Sequence, residues 1–66
     1  MRVRYDSTVD AAYIYLATSI APGAVKNTYV CDPAEVHGDI HLDFDASGRL
    51  VGIEVLDASR ICPSSL

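Results

Sequence analysis

The stretch "DFDASGRLVGIE", residues 43–54, fits two incompatible folds. Asp43, Asp45, Ser47, Gly48 and Glu54 stand at positions 1, 3, 5, 6 and 12 of a calcium-binding EF-hand loop, with Leu50 at the apolar eighth place. The same letters also spell a β-hairpin that turns at Ala46-Ser47-Gly48. The flanking residues decide between them. An EF-hand loop needs a helix on each side. Upstream, "DIHLDFD" alternates with period two: Ile40, Leu42 and Phe44 point one way, and Asp39, His41, Asp43 and Asp45 the other. Downstream, "VLDASRICP" allows at most a short helix before Pro63. The hairpin reading follows, with a type I turn and Gly48 at its left-handed position.

Register is the next question. Counted strictly from an Asp45–Arg49 closure, Ile40 would face Glu54, placing a carboxylate among core residues without a partner. One extra residue at Val51-Gly52 removes the conflict, and glycine inside a strand often marks such a bulge. Ile53 then faces Leu42, Val55 faces Ile40, and Glu54 turns out beside His41. Without the bulge, Glu54 is buried or a partner covers the second face.

Outward from the hairpin, "RVRY" (2–5) alternates and reads as a first strand. "DSTVD" breaks it, with Asp6 also able to cap a helical turn. "AAYIYLAT" (11–18) is a second strand with Ile14 and Leu16 on one face and Tyr13 and Tyr15 on the other. "APG" (21–23) is a turn, "AVKNTYVC" (24–31) a third strand, and "DPAEVHG" (32–38) a loop opened by Asp32-Pro33. "DASRI" (57–61) starts a short helix with Asp57 as N-cap. The expected fold is therefore α+β and β-rich. It is one small domain over residues 1–66, an antiparallel sheet of about five strands with a terminal hairpin bulged near Gly52 and a short C-terminal helix.

Composition narrows the function. A chain of 66 residues buries only about 60% of the surface its unfolded form exposes, so a partner surface, a metal or a disulfide is the usual supplement. The net charge is −4, and no Lys or Arg falls between Lys26 and Arg49, where five acids lie. That stretch would repel phosphates, which argues against nucleic-acid binding. No apolar run approaches the ~20 residues of a membrane span. The N-terminus lacks the apolar core of a secretory signal, so the expected compartment is the cytoplasm, with Cys31 and Cys62 reduced.

Taken together, "YD" at 5–6, "VDAAYIYL" at 9–16 and "HLDFDASGRLVGIEVLDAS" at 41–59 resemble the small bacterial domain-of-unknown-function family 2283 (DUF2283). The family's Tyr-Asp, Asp-Ala-x-Tyr-Ile and Asp-x-Asp-x-x-Gly-x-x-x-Gly-Ile-Glu elements correspond to Tyr5-Asp6, Asp10-Ala11 with Tyr13-Ile14, and Asp43 through Glu54. Residues 28–38 carry no equivalent signature. The resemblance implies a compact β-rich domain with no established activity. The genes of such proteins often neighbour small toxin-like proteins, which implies an antitoxin-like or accessory role.

Candidate chemistry is sparse. His41, Asp43 and Glu54 could together hold a divalent metal, and a metal-binding domain or small metal-dependent enzyme is the alternative function. The plainer reading is a solvent-facing polar row with a His41–Glu54 cross-strand pair. No serine lies in a nucleophile elbow, and Cys31 lacks an adjacent histidine to activate it. No cofactor is expected. Tyr13 and Tyr15, with Val51 or Leu56, could form an exposed aromatic and aliphatic patch. Interface cores favour tyrosine, and a twofold homodimer would bury such a patch, a small protein partner being the other occupant. Asp45, Gly48 and Gly52 are read as structural turn and bulge positions. The expectation is a non-enzymatic interaction or regulatory module.

Overall fold

In the computed structural model of the chain, which describes residues 1–63, five antiparallel strands form one sheet in the order β1-β2-β5-β4-β3. The strands are β1 Arg2–Asp6, β2 Ala11–Tyr15, β3 Asn27–Val30, β4 Asp39–Phe44 and β5 Leu50–Leu56, with single-turn helices α1 Pro33–Val36 and α2 Ala58–Ile61. Residues 16–26 carry the chain from β2 across to the far edge. Leu16 and Ala17 both donate to the Val51 carbonyl at the start of this crossing, and Lys26 donates to the Phe44 carbonyl at its end.

The hairpin reading holds and the helix–loop–helix does not. Asp45 N–H donates to the Arg49 carbonyl and Gly48 N–H to that of Asp45, with Gly48 at φ +79°. Across β4 and β5, Leu42 pairs with Ile53, Ile40 with Val55 and His41 with Glu54. The register shifts between Asp43 and Phe44, so Gly52 stands opposite Asp43, Leu50 opposite Phe44, and Val51 has no partner on β4.

Alternation then sorts the sheet into two unlike faces. One carries Val3 and Tyr5, Ala12 and Ile14, Ile53 and Val55, Ile40, Leu42 and Phe44, and Asn27 and Tyr29. The other carries Arg2, Arg4 and Asp6, Tyr13 and Tyr15, Glu54, and Asp39, His41 and Asp43. On the first face α2 packs over one end: Ala12, Val55 and Ala58 are buried there, with Ile40, Ile53, Ile61 and Cys62 against them.

Three local expectations need correction. Residues 32–38 are not simply a loop. The Asp32 carboxylate accepts the Ala34 N–H at 2.9 Å and Pro33 occupies the first turn, so Asp-Pro here acts as an N-cap followed by a proline whose missing N–H costs nothing. The turn ends at His37, in left-handed conformation at φ 54°. Asp57, in turn, does precede α2 but makes no side-chain cap; its backbone is left-handed at φ 53°. Asp10 does the capping from across the sheet. Its carbonyl accepts the Ala58 N–H at 2.9 Å, Oδ1 accepts the Ser59 N–H at 3.0 Å, and Oδ2 accepts the Ser59 hydroxyl at 2.7 Å. Tyr5 Oη donates to Oδ1 as well, at 2.7 Å. The third strand is also shorter than expected, because the turn at 21–24 closes on an Ala24–Ala21 hydrogen bond and pairing begins only at Asn27.

Two tests follow from this arrangement. A Cβ on Gly48 would meet no atom within 4 Å, so only backbone strain opposes a side chain there; Gly48→Val is expected to cost on the order of 1–2 kcal/mol in denaturant melts, and unchanged stability would rule out the left-handed turn. Asp10 and Asp57 share φ 53°, so Asp10→Gly and Asp57→Gly make a backbone-matched pair. The first should lower the melting temperature and the second should not. The hydrogen bonds from Tyr5, then Ser59, hold the Asp10 carboxyl below its ordinary value of 3.8. A depressed folded-state value contributes stability above pH 3.8 that is lost as pH falls through the lower folded value. Asp6 and Asp45 are held down likewise, by Thr8 and by the Arg49 N–H. Asp10→Gly should therefore retain an acid limb in its stability profile, but a shallower one than the parent chain.

Candidate functional site

The charged face holds every side chain with chemical potential that the sequence nominates on the strands. Register sets two rows across it. Arg4, Tyr13, Glu54 and His41 are successive cross-strand partners in one, and Arg2, Tyr15, Gly52, Asp43 and Thr28 in the next. Tyr13 reaches diagonally between the rows. Its hydroxyl donates to Asp43 Oδ2 at 2.6 Å, while Thr28 Oγ1 donates to Oδ1 of the same carboxylate at 2.7 Å. Gly52 is what lets the ring pass: a Cβ there would lie 2.0 Å from the Tyr13 hydroxyl oxygen and 2.5 Å from Cζ. So Gly52, expected as a bulge position, is the site of close aromatic approach, and the unpaired residue beside it is Val51. Tyr13 meets Tyr15 edge-on at 4.8 Å, and the Arg2 guanidinium lies 4.1 Å above the Tyr15 ring.

Electrostatically, this is a network already paired. Partial burial, reinforced by the Asp43 carboxylate, pushes the Tyr13 phenol above its ordinary value of 10.0. His41 sits between two carboxylates, with Nε2 2.8 Å from Asp39 Oδ1 and Nδ1 3.2 Å from Glu54 Oε1. The Asp39 contact is a hydrogen bond, and Glu54 lies within ion-pairing distance of the ring. The three nominated metal ligands are consequently on one face but not convergent: Asp43 serves Tyr13 and Thr28, and Glu54 serves His41. Among the described residues no three His, Cys, Asp or Glu side chains are placed to hold a metal ion. The EF-hand letters are likewise spent separately, since Asp45 Oδ1 accepts the Ser47 and Arg49 N–H groups, both at 2.9 Å.

Of the residues nominated for contact, Tyr13, Tyr15 and Leu56 share this face and Val51 falls at the register shift. Beside the tyrosines lies an open depression of about 290 Å³ walled by Arg4, Asp6, Val9, Tyr13, Tyr15 and Glu54. Sequence reasoning missed Thr28 and Asp10. Thr28 gives no signal outside its register opposite Asp43. For Asp10 the signal was present in the Asp-Ala pair that opens the second strand, but its partner lies 49 residues away.

Gly52→Ala is the sharpest probe of this network. The added methyl must displace the Tyr13 ring, and overpacking of this kind costs about 1–3 kcal/mol. A raised folded-state value for Tyr13 contributes stability below pH 10.0 that is lost as pH rises beyond it. Tyr5 is also held above 10.0, by its hydrogen bond to Asp10, so in the variant tyrosinate absorbance should show one of two late ionisations returning toward 10.0, and two that persist would refute the Tyr13–Gly52 account.

No curated protein and no solved structure matches the chain. A family model described as "Protein of unknown function (DUF2283)" matches residues 2–59, which span the Tyr5–Asp10–Ser59 link, the Tyr13–Asp43 pair and the whole sheet between them. With nearly its full length covered, the chain belongs to the DUF2283 family.

Proposed function

We propose that this domain works by protein contact, as a homodimeric interaction module without chemistry of its own. The observation that carries the reading is the poverty of its core. Among the described residues the buried hydrophobic side chains are only Ala12, Val55 and Ala58, while Val3, Tyr5, Val9, Leu16, Tyr29, Val30 and Val36 are exposed. Exposed apolar surface on this scale marks interaction sites on soluble proteins, and a self-associating chain gains the stability it lacks alone. On the charged face, Tyr13 and Tyr15 beside the depression, with Leu56 on the same face, offer a mixed aromatic and polar surface for a further small protein. The toxin-like neighbours implied by the family resemblance support an accessory or antitoxin-like role for that contact. Paired carboxylates, and a net charge of −4, speak against nucleic acid. No helix among the described residues is long and apolar enough to cross a membrane, and the free thiols of Cys31 and Cys62 suit the reducing cytoplasm.

Light scattering at micromolar concentration should give about twice the 7.1 kDa chain mass, with a melting temperature that rises with protein concentration. In the same samples calcium and zinc should leave the melting temperature unchanged. A concentration-independent monomer would overturn the dimer, and a saturable metal-induced shift at His41, Asp43 and Glu54 would overturn the reading without chemistry.

A further inference from the structure

Granted the homodimer just proposed, we infer that two copies meet through the face of the sheet whose strands carry no charged side chain, along the row Val3–Ile14–Ile53–Leu42–Tyr29, and not through the face that bears Tyr13 and Tyr15. These five residues are successive cross-strand partners, so the row runs over all five strands in the order β1-β2-β5-β4-β3. Among the described residues no strand places a charged side chain on this face. Its two ends are open, with Val3 45% and Tyr29 59% exposed, and Ile14, Ile53 and Leu42 between them are only half-buried. α2 covers the neighbouring row, Ala12–Val55–Ile40, and leaves this one uncovered at both edges.

Three arguments select a second copy as the occupant. The first is charge. Each chain carries −4, and the acidic side chains of the strands all lie on the other face, so two copies can approach along this row without strand carboxylates opposing one another, the nearby Asp10, Asp57 and Arg60 lying at α2 over the neighbouring row. The second is area. The molecule is a slab of 32 × 25 × 18 Å, so its broad side, less the part α2 covers, offers at most the roughly 800 Å² that a standard interface takes from each partner, the scale of a small dimer contact. The third is continuity with the core. Ile53 belongs both to this row and to the cluster under α2, so covering the row completes the folding core itself. Such a cover must be present whenever the chain folds, and only another copy of the chain always is. Packing two sheets face to face in this way makes a two-layer sandwich from single layers. The tyrosine face, by contrast, is already committed to its own hydrogen bonds and ion pairs.

The test uses the intact chain and three charge insertions. Val3→Glu and Tyr29→Glu, both at open edges where a monomer tolerates a charge, should bring the mass by light scattering down to about 7.1 kDa. Tyr15→Glu, on the opposite face, should leave it at about twice that. Should either edge variant fail to fold, isotope-filtered NMR on a mixed-label sample of the parent chain decides. Contacts between copies linking Val3, Ile14, Leu42 and Tyr29 support the assignment, whereas contacts confined to Tyr13 and Tyr15 overturn it. A dimer that survives both edge charges but dissociates in Tyr15→Glu overturns this face while leaving the homodimer standing. A monomeric parent chain overturns both.

Discussion

Asp10 ties the two ends of the chain together. A four-residue helix has no intrinsic stability in water, since nucleation costs more than one turn returns. α2 exists because each of its first N–H groups has an acceptor: Ala58 and Ser59 bond to Asp10, and Arg60 and Ile61 bond to the Asp57 carbonyl. Asp10 can do this only from a left-handed backbone, a conformation that Asp tolerates better than most residues. Tyr5 fixes the same carboxylate from the first strand. The reward is positional. With α2 held at its N-terminus, Ala58 is pressed onto Ala12 and Val55, and these three make the buried core.

From that small core the character of the rest follows. One short helix covers one row of a five-stranded sheet, and α1 adds no buried residue. The sheet must therefore offer water two surfaces, and the sequence treats them oppositely. One face is knitted by carboxylates meeting a phenol, a threonine hydroxyl and an imidazole, which need no further layer. The other is apolar from edge to edge and is satisfied only where something lies over it. Single-layer sheets usually expose one polar face and bury one apolar face; here the burial is incomplete within one chain.

Much of this was legible in the residues, and the illegible parts share a cause. The alternation of Ile40, Leu42 and Phe44 identifies β4 without help, and unwillingness to bury Glu54 leads to the pairing of Leu42 with Ile53 and His41 with Glu54. The letters of a calcium loop were resolved by their flanks. What could not be read were contacts that only the sheet order brings together: Asp10 with Ser59, and Tyr13 with Gly52 and Asp43. Locally, Asp57 looks like the N-cap of α2 and Gly52 looks like a bulge. In the fold, a distant carboxylate takes the first role, and Gly52, next to the unpaired Val51, also clears space for a ring on a neighbouring strand. Asp32-Pro33 was ambiguous for a different reason, because the same dipeptide opens both turns and helices.

The residues that carry the family resemblance include, on the strands and in the hairpin turn, a set of internal fasteners. Tyr5 and Asp10 hold α2, Tyr13 and Asp43 lock β2 to β4 over Gly52, Asp45 and Gly48 close the hairpin, and Glu54 meets His41. Each of these side chains is held in place by at least one partner within the chain. Outside these contacts lie exposed residues that include Val3 and Tyr29, at the two edges of the apolar row. The surface that the fold fails to cover and the surface that the motif fails to specify coincide there, as expected if one partner chain both completes the core and defines the working unit.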